Sequence, residues 1–455
     1  MADNQEVNEA AGVARKALDI AMNHHFAGEW SAAEKHYAVV LQEDYRRADV
    51  LPLMAQVVAE GGETERALSY WQELLVHDPQ HYVGLLEAGT ILHGLKRFDE
   101  AIRLLEKASA RVPGDRLALN NLAIACYDAG RHHQALEFFR QLAQLEPANP
   151  LREHQVRRVT SALVPFWHIP MLNDAPRNRA FEAAIRQAIA ERGPHARILD
   201  IGSGSGLLSM MAARCGAIDI TTCEVVPVIA ETARRIIEAN GFADRITIIN
   251  KLSTELVMGE DLDGPADILI SEILSSDLLA EHVLPTFEDA GKRLLKPDAI
   301  VIPRRVTAVG CLAESELLSR YCTVGDVSGF DVSAFNPLAP QRLPVHGTMT
   351  GWTRLSADVD LVGLDLAAAQ HPAELRPLSV VVSQSGTAVG IIQWMQVDLA
   401  ENCEFSNHPD TYMDGGWLQV LHPFPSPMPV TAGQRVELAV GHDRSSLIIV
   451  PLVRT

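Results

Sequence analysis

Two carboxylates nine residues apart, Glu272 and Glu281, bracket the stretch "EILSSDLLAE". A pair of negative charges around a short loop suits the grip of a guanidinium, a planar fork of five donors that stays charged in proteins and is held best by carboxylates accepting paired hydrogen bonds. On spacing alone the pair reads equally as one salt-bridged loop carboxylate and one at a helix start. Upstream, Asp200-Ile201-Gly202-Ser203-Gly204-Ser205-Gly206 forms a glycine-rich turn in which backbone can approach a bound cofactor closely. Glu224 follows Gly206 by 18 residues and can accept both ribose hydroxyls of an adenosyl group, or stand as an exposed strand-end charge. The spacing is GxGxG after an acidic residue, not GxGxxG. It favours S-adenosylmethionine over a dinucleotide pyrophosphate, and so a methyltransferase.

These residues need a scaffold that brings them to one edge. The runs "ARILDIG", "DITTCEV", "ITIIN" and "ADILISE", separated by amphipathic helical stretches, predict an α/β Rossmann-like parallel sheet whose ligand sits at the carboxyl ends of the strands. The third run ends in Asn250-Lys251-Leu252-Ser253-Thr254, where Ser253 and Thr254 face the adenine edge or simply form the turn. From Pro303 onward, "AVGCLAES", "LSVVVSQS", "AVGIIQWMQVDL", "WLQVLHPF", "RVELAVGHD" and "SLIIVPLV" predict an antiparallel β-barrel or sandwich.

Ahead of both lies a repeat. Ala33, Ala67, Ala101 and Ala135 recur every 34 residues, as do Pro79, Pro113 and Pro147, while Tyr37, Trp71, Leu105 and Phe139 hold one large apolar column. Gly28, Gly62 and Gly130 keep register, with Gly94 displaced by two. Each unit reads as two helices with a glycine turn and a terminating proline, similar to the tetratricopeptide repeat: three clear copies over 48–150 and a weaker first over 14–47. Such an array leaves a concave face that usually recognises protein or peptide; a dimerisation or packing module is the alternative. The expected domains are 14–150 (repeats), 151–302 (cofactor-binding) and 303–455 (β-barrel, forming a substrate cleft).

Composition narrows the partners. A net charge of −19 argues against nucleic acid, which needs clustered Lys and Arg, and suits a basic protein partner or plain solubility. The six cysteines are scattered, without a CxxC pair or histidines at ligand spacing, so neither a disulfide framework nor a metal site is expected. No apolar run is long enough to span a membrane and the start lacks a signal-peptide order, so a soluble, cytoplasmic protein is expected.

The Ser-Glu lead and the nine-residue glutamate spacing resemble the double-glutamate loop of protein arginine methyltransferases. The resemblance implies that Glu272 and Glu281 hold the substrate guanidinium as the catalytic pair. The segment "FWHIPMLNDAPRNRAF" is similar to that family's cofactor-covering segment. By that match His168 contacts the cofactor, Met171 borders the methyl, Arg177 binds the methionine carboxylate, and Asp174 takes the place of an aspartate that pairs with a late-loop histidine. The family's Tyr-Phe-x-x-Tyr start is absent. At "DGGWLQVLHPF" only Trp417 of a Thr-His-Trp loop is kept, with Gly415 and Gly416 in the other places. Asp174 is thereby expected to lack its partner, and His408 either substitutes or is a solvated loop residue. "VGDVSGFDVSAFNPLAP" lies where the family carries a dimerisation arm, implying a homodimer or pseudo-dimer contact. The repeats, with "MLNDAPRN" and "GFDVSAFN", point to the branch called protein arginine methyltransferase 9, from which a single catalytic unit departs.

The leading expectation is a protein arginine N-methyltransferase whose repeats recruit the substrate. A repeat scaffold with an inactive methyltransferase fold and a small-molecule methyltransferase are the alternatives.

Overall fold

The structure, a computed structural model, describes residues 2–412 and 415–452. It divides into two compact units, residues 1–164 and 165–455.

The first unit is an array of antiparallel helices: α1 (Ala2–Phe26), α2 (Trp30–Gln42), α3 (Arg47–Glu60), α4 (Thr64–His77), α5 (Tyr82–Gly94), α6 (Phe98–Arg111), α7 (Arg116–Asp128), α8 (His132–Leu145) and α9 (Pro150–Leu163). The alanine and large apolar columns of the 34-residue period are buried, so the repeat in sequence is a repeat of one packing site. Pro79, Pro113 and Pro147 lie two residues beyond α4, α6 and α8, where a missing N–H ends each helix. Gly28, Gly62 and Gly130 take φ of 76°, 84° and 75° at the turns. In the copy whose glycine is displaced, Lys96 occupies the same register at φ 59°. The array continues one helix past the expected boundary at 150, because α9 packs on α8.

The second unit is built around one continuous core that runs from Phe181 to Ile449. After α10 (His168–Asn173) and α11 (Ala175–Arg192), a parallel sheet is built from β1 (Arg197–Ile201), β2 (Asp219–Cys223), β3 (Ile246–Ile249), β4 (Ala266–Ser271) and β5 (Leu295–Ile302), in the order β3-β2-β1-β4-β5. α12 (Leu207–Arg214), α13 (Pro227–Ala239) and α14 (Val283–Arg293) follow β1, β2 and the loop after β4. Strand order reverses at β1, whose neighbours are β2 and β4, and that is the place where open α/β sheets bind ligands.

The late segment is antiparallel. β6 (Arg305–Glu314) leads into α15 (Glu316–Cys322), the short hairpin β7 (Asp326–Val327) and β8 (Phe330–Asp331), then β9 (Leu343–Val345), β10 (Thr353–Arg354) and β11 (Val359–Asp365). β12 (Glu374–Val381), β13 (Gly386–Ala400), β14 (Cys403–Ser406), β15 (Gln419–Val430), β16 (Arg435–His442) and β17 (Leu447–Pro451) complete it. The main sheet runs β10-β6-β13-β15-β9, and β12-β16-β17 form a second. The β7–β8 hairpin lies in the expected arm, where Phe330, Phe335 and Leu338 are exposed. Among the described residues no helix is long and apolar enough to cross a membrane, and no three His, Cys, Asp or Glu cluster to hold a metal ion.

Candidate active site

The glycine turn follows β1 because only glycine fits there. Gly202 and Gly206 take φ of 84° and 78°; a Cβ on Gly202 would come within 2.7 Å of Ile273, and one on Gly206 within 2.8 Å of Ile237 on α13. The turn is thereby closed on the helix side and lies directly under the loop that begins with Glu272. Asp200 points beneath it, buried, accepting from Ser209 Oγ of α12 at 2.5 Å. Burial pushes its carboxyl up to about 6, against the lowering pull of that hydroxyl. Its observed partner is therefore the helix, not the cleft.

Glu224 stands just past β2, buried, with Oε2 accepting from Gly204 N at 3.1 Å and Oε1 from Val226 N at 2.9 Å. Each oxygen keeps a further lone pair for a hydroxyl donor. Asn250 donates to the Glu224 carbonyl at 2.7 Å and so braces the strand end. Ser253 is buried and Thr254 exposed on the 3-10 turn Ser253–Glu255.

The expected covering segment folds against the glutamate loop. Asp174 is the N-cap of α11, its Oδ1 accepting from Arg177 N at 3.1 Å. The Arg177 guanidinium donates to Glu272 Oε2 at 2.8 Å, to the Met171 carbonyl at 2.9 Å and to Asn178 Oδ1 at 3.1 Å. It lies 5.6 Å from the centre of the Trp417 ring. The arginine expected at a cofactor carboxylate is thus turned onto the first glutamate. His168 opens α10, and its Nδ1 is buried without a partner.

Glu272 Oε1 is likewise buried without a partner. Burial, countered by Arg177 and reinforced by Glu281 and Asp174, raises its carboxyl to about 8. Glu281 is exposed as a residue, yet the protein packed around its inner side raises its carboxyl, as do Glu224 and Asp277. Glu272 therefore senses Glu281, and Glu281 senses the carboxylate expected at the ribose. The loop between them is pinned from the β-structure: Trp417 Nε1 donates to the Leu274 carbonyl at 2.8 Å, Leu418 N to Ser276 Oγ at 2.9 Å, and Arg342 to Asp277.

Among the described residues Asp174 meets no histidine, and another donor takes that place. Asp174 Oδ2 accepts from the Tyr412 hydroxyl and from Gly416 N at 3.1 Å. His408 does not substitute, because it pairs with Asp358 at 3.1 Å and packs on Trp394. Tyr412 and Arg342 were not singled out in the sequence; each meets its partner across a long separation that no local pattern encodes.

Glycine turn, buried strand-end glutamate and topological switch point together define an S-adenosylmethionine-dependent methyltransferase, and the glycine cradle, the spare lone pairs of Glu224 and the unpartnered His168 Nδ1 fit that cofactor. The family described as Ribosomal protein L11 methyltransferase (PrmA) matches residues 184–303, and the Tetratricopeptide repeat family matches 80–145. An Arginine N(omega)-methyltransferase of Streptomyces achromogenes subsp. streptozoticus is 40% identical over 280 residues, covering 61% of this chain and 76% of that protein. Protein arginine N-methyltransferase 7 of Drosophila grimshawi is 29% identical over 318 residues, 61% of this chain but 45% of the relative, so the chain spans less than half of that protein. Among solved structures, the Trypanosoma brucei PRMT1 enzyme-prozyme heterotetrameric complex with AdoHcy shares the fold, with a TM-score of 0.55 at 24% identity over 62% of this chain and 89% of that one. The chain belongs to the arginine methyltransferase family.

Proposed function

We propose that this protein transfers a methyl group from S-adenosylmethionine to a guanidinium nitrogen of arginine in a protein substrate, with the repeat array recruiting that substrate. The observation that carries the reading is the convergence of Glu272, Glu281 and Glu224. Burial raises both carboxylates of the pair, Glu281 adds to the rise at Glu272 and Glu224 to that at Glu281, and one oxygen, Glu272 Oε1, lacks a donor. An entering guanidinium supplies both the missing donor and the missing positive charge.

In this reading Gly202, Gly204 and Gly206 admit the cofactor's backbone contacts, Glu224 accepts from its ribose, Ser253 and Thr254 border its adenine, and His168 and Met171 cover it. When bound, the cofactor supplies an electrophilic sulfonium methyl. Glu272 and Glu281 orient the guanidinium and hold positive charge on it, leaving one terminal nitrogen facing the donor; the rate gain is positioning and electrostatics. Arg177 keeps Glu272 in place. Asp200 supports the turn from below through Ser209.

Protein as the acceptor is supported by the tetratricopeptide match and the acidic balance of the chain. The Streptomyces relative is named for arginine without mention of protein. Free arginine is therefore a second acceptor to test. Incubating the full chain with labelled S-adenosylmethionine and, separately, a basic protein pool, short peptides carrying the same arginines, and free arginine distinguishes them by mass spectrometry of the methylated product. The expected result is methylarginine in protein with a KM at least tenfold below that of the peptides. Equal KM values remove recruitment, label in free arginine alone removes the protein acceptor, and no methylarginine at all overturns the reading.

A further inference from the structure

We infer that Tyr412 is a positioning residue for this reaction: its hydroxyl holds Asp174, and through Asp174 the helix start that presents Arg177 to Glu272. The inference rests on the functional reading above. Tyr412 is buried, its ring meeting Phe405 edge-on at 5.3 Å, and Phe405 in turn lies 5.5 Å from Trp417. A buried phenol needs a partner for its O–H, and here the partner is a carboxylate that is itself only 3% exposed.

Asp174 serves as a hub. One oxygen receives the Tyr412 hydroxyl and Gly416 N, while the other caps α11 at Arg177 N. The capped residue is the same one whose guanidinium reaches Glu272. A shift of the aspartate is therefore a shift of the arginine and of the catalytic carboxylate it restrains. The line Tyr412, Asp174, Arg177, Glu272 crosses from the late β-structure to the glutamate loop through hydrogen bonds alone.

The two glycines that replace the family's Thr-His belong to the same device. A Cβ at Gly415 would overlap the Tyr412 hydroxyl, and one at Gly416 would come within 2.7 Å of Met171 Cγ and 2.8 Å of its Cα. A side chain at 415 would displace Tyr412, and one at 416 would displace Met171. The donor to Asp174 thus comes from Tyr412, four residues before Gly416, and the diglycine backbone closes over Met171.

The test compares wild type with Tyr412→Phe, Asp174→Asn and the double variant, and reads hydrogen exchange at the Arg177 amide in each. Tyr412→Phe keeps the ring packing and removes only the donor. Its kcat is expected to fall about tenfold, the size of one hydrogen bond to a charged group, with KM for S-adenosylmethionine changed less than about twofold. The double variant is expected to be no slower than Asp174→Asn alone, and exchange at Arg177 to accelerate in Tyr412→Phe. Wild-type rates and exchange in Tyr412→Phe, or additive losses in the double variant, overturn the inference. Where wild type itself methylates no arginine acceptor, the functional reading fails separately, and the exchange measurement alone decides the Tyr412–Asp174 link. The same measurement decides if Asp174→Asn does not fold.

Discussion

Arg177 donates through Nη1 to Glu272 Oε2 at 2.8 Å, with the two side chains only 5% and 6% exposed. The pair already shows what the glutamate takes: one oxygen accepts a guanidinium N–H, and the other, Oε1, is buried without a donor. Glu272→Gln keeps the volume and the Arg177 contact but removes the charge. Methyl transfer is expected to fall by at least about 100-fold, the range for losing one preorganised electrostatic contact to a reacting group. Cofactor affinity, which the proposed function assigns to Glu224 and the glycine turn, is expected to change little. Initial rates with labelled cofactor and calorimetric titration check the two halves, and an undiminished rate removes Glu272 from the reaction.

The same carboxyl sets a pH dependence. Because burial raises Glu272 to about 8, the substrate-free protein holds it protonated across neutral pH, and the form that grips a guanidinium appears as pH rises through about 8. kcat/KM, which reports the free enzyme, is expected to climb between pH 6.5 and 8.5. kcat is expected to be flatter, since a bound guanidinium lowers the carboxyl it touches. Glu281 contributes to the limb, because its charge adds to the burial that raises Glu272. In Glu272→Gln the climb is expected to shrink or vanish; a flat wild-type profile contradicts the assignment.

What was legible beforehand was whatever repeats or alternates locally. The alanine column of the array shows in the sequence because each copy packs the same neighbour, and β1 and β4 show because strands buried on both faces read as continuous apolar runs. The glycine turn and Glu224 were readable for the same reason, as they lie within one βαβ unit. Contacts closed across the fold left no trace. Tyr412 reaches Asp174 over 238 residues, and Arg342 reaches Asp277 over 65. The contact of the Arg177 guanidinium with Glu272 depends on where the glutamate loop comes to rest, 95 residues away. The repeat columns stop at Pro147, so no periodicity marks α9, which still finds a face of α8 to cover.

α14, which follows the glutamate loop, is tied to the β-structure by Glu288. Its carboxylate accepts from Arg444 at 2.8 and 3.1 Å, from His371 N at 2.6 Å, and contacts His371 Nδ1 at 3.0 Å. The Arg444 hydrogen bonds hold it down at about 2, with His371 adding to them against the cost of burial. A folded pKa below the ordinary value means stability that is full above about pH 4.5 and lost as pH falls towards 2. The full shift corresponds to about 3 kcal/mol, reduced to about 2 kcal/mol because Arg444 is partly solvated. Glu288→Gln is expected to lower the midpoint of chemical unfolding at pH 7, with the gap to wild type shrunk to about a quarter at pH 2.5 and closing only below pH 2. Parallel denaturation curves at the two pH values check it; a gap undiminished in acid shows that packing, not charge, carries the tie.

In the repeat array four turns occupy one register, at residues 28, 62, 96 and 130, and three of them are glycine. The N–H of each donates to the carbonyl three residues earlier: Gly28 to His25, Gly62 to Ala59, Lys96 to His93 and Gly130 to Tyr127, at 2.9 to 3.0 Å. The backbone task is the same, but Lys96 performs it at φ 59° with a Cβ crowding the carbonyl, a strain of about 1–2 kcal/mol. Lys96→Gly relieves that strain while loosening the unfolded chain by about 0.5–1 kcal/mol, so a net gain of about 0.5–1 kcal/mol is expected. Gly130→Ala meets no neighbouring atom within 4 Å, so only the backbone term acts, and a loss of about 1 kcal/mol or more is expected. Opposite shifts in the helical melting transition at two equivalent positions would isolate backbone conformation from packing. Equal signs would mean that the lysine side chain makes contacts worth more than the strain it imposes.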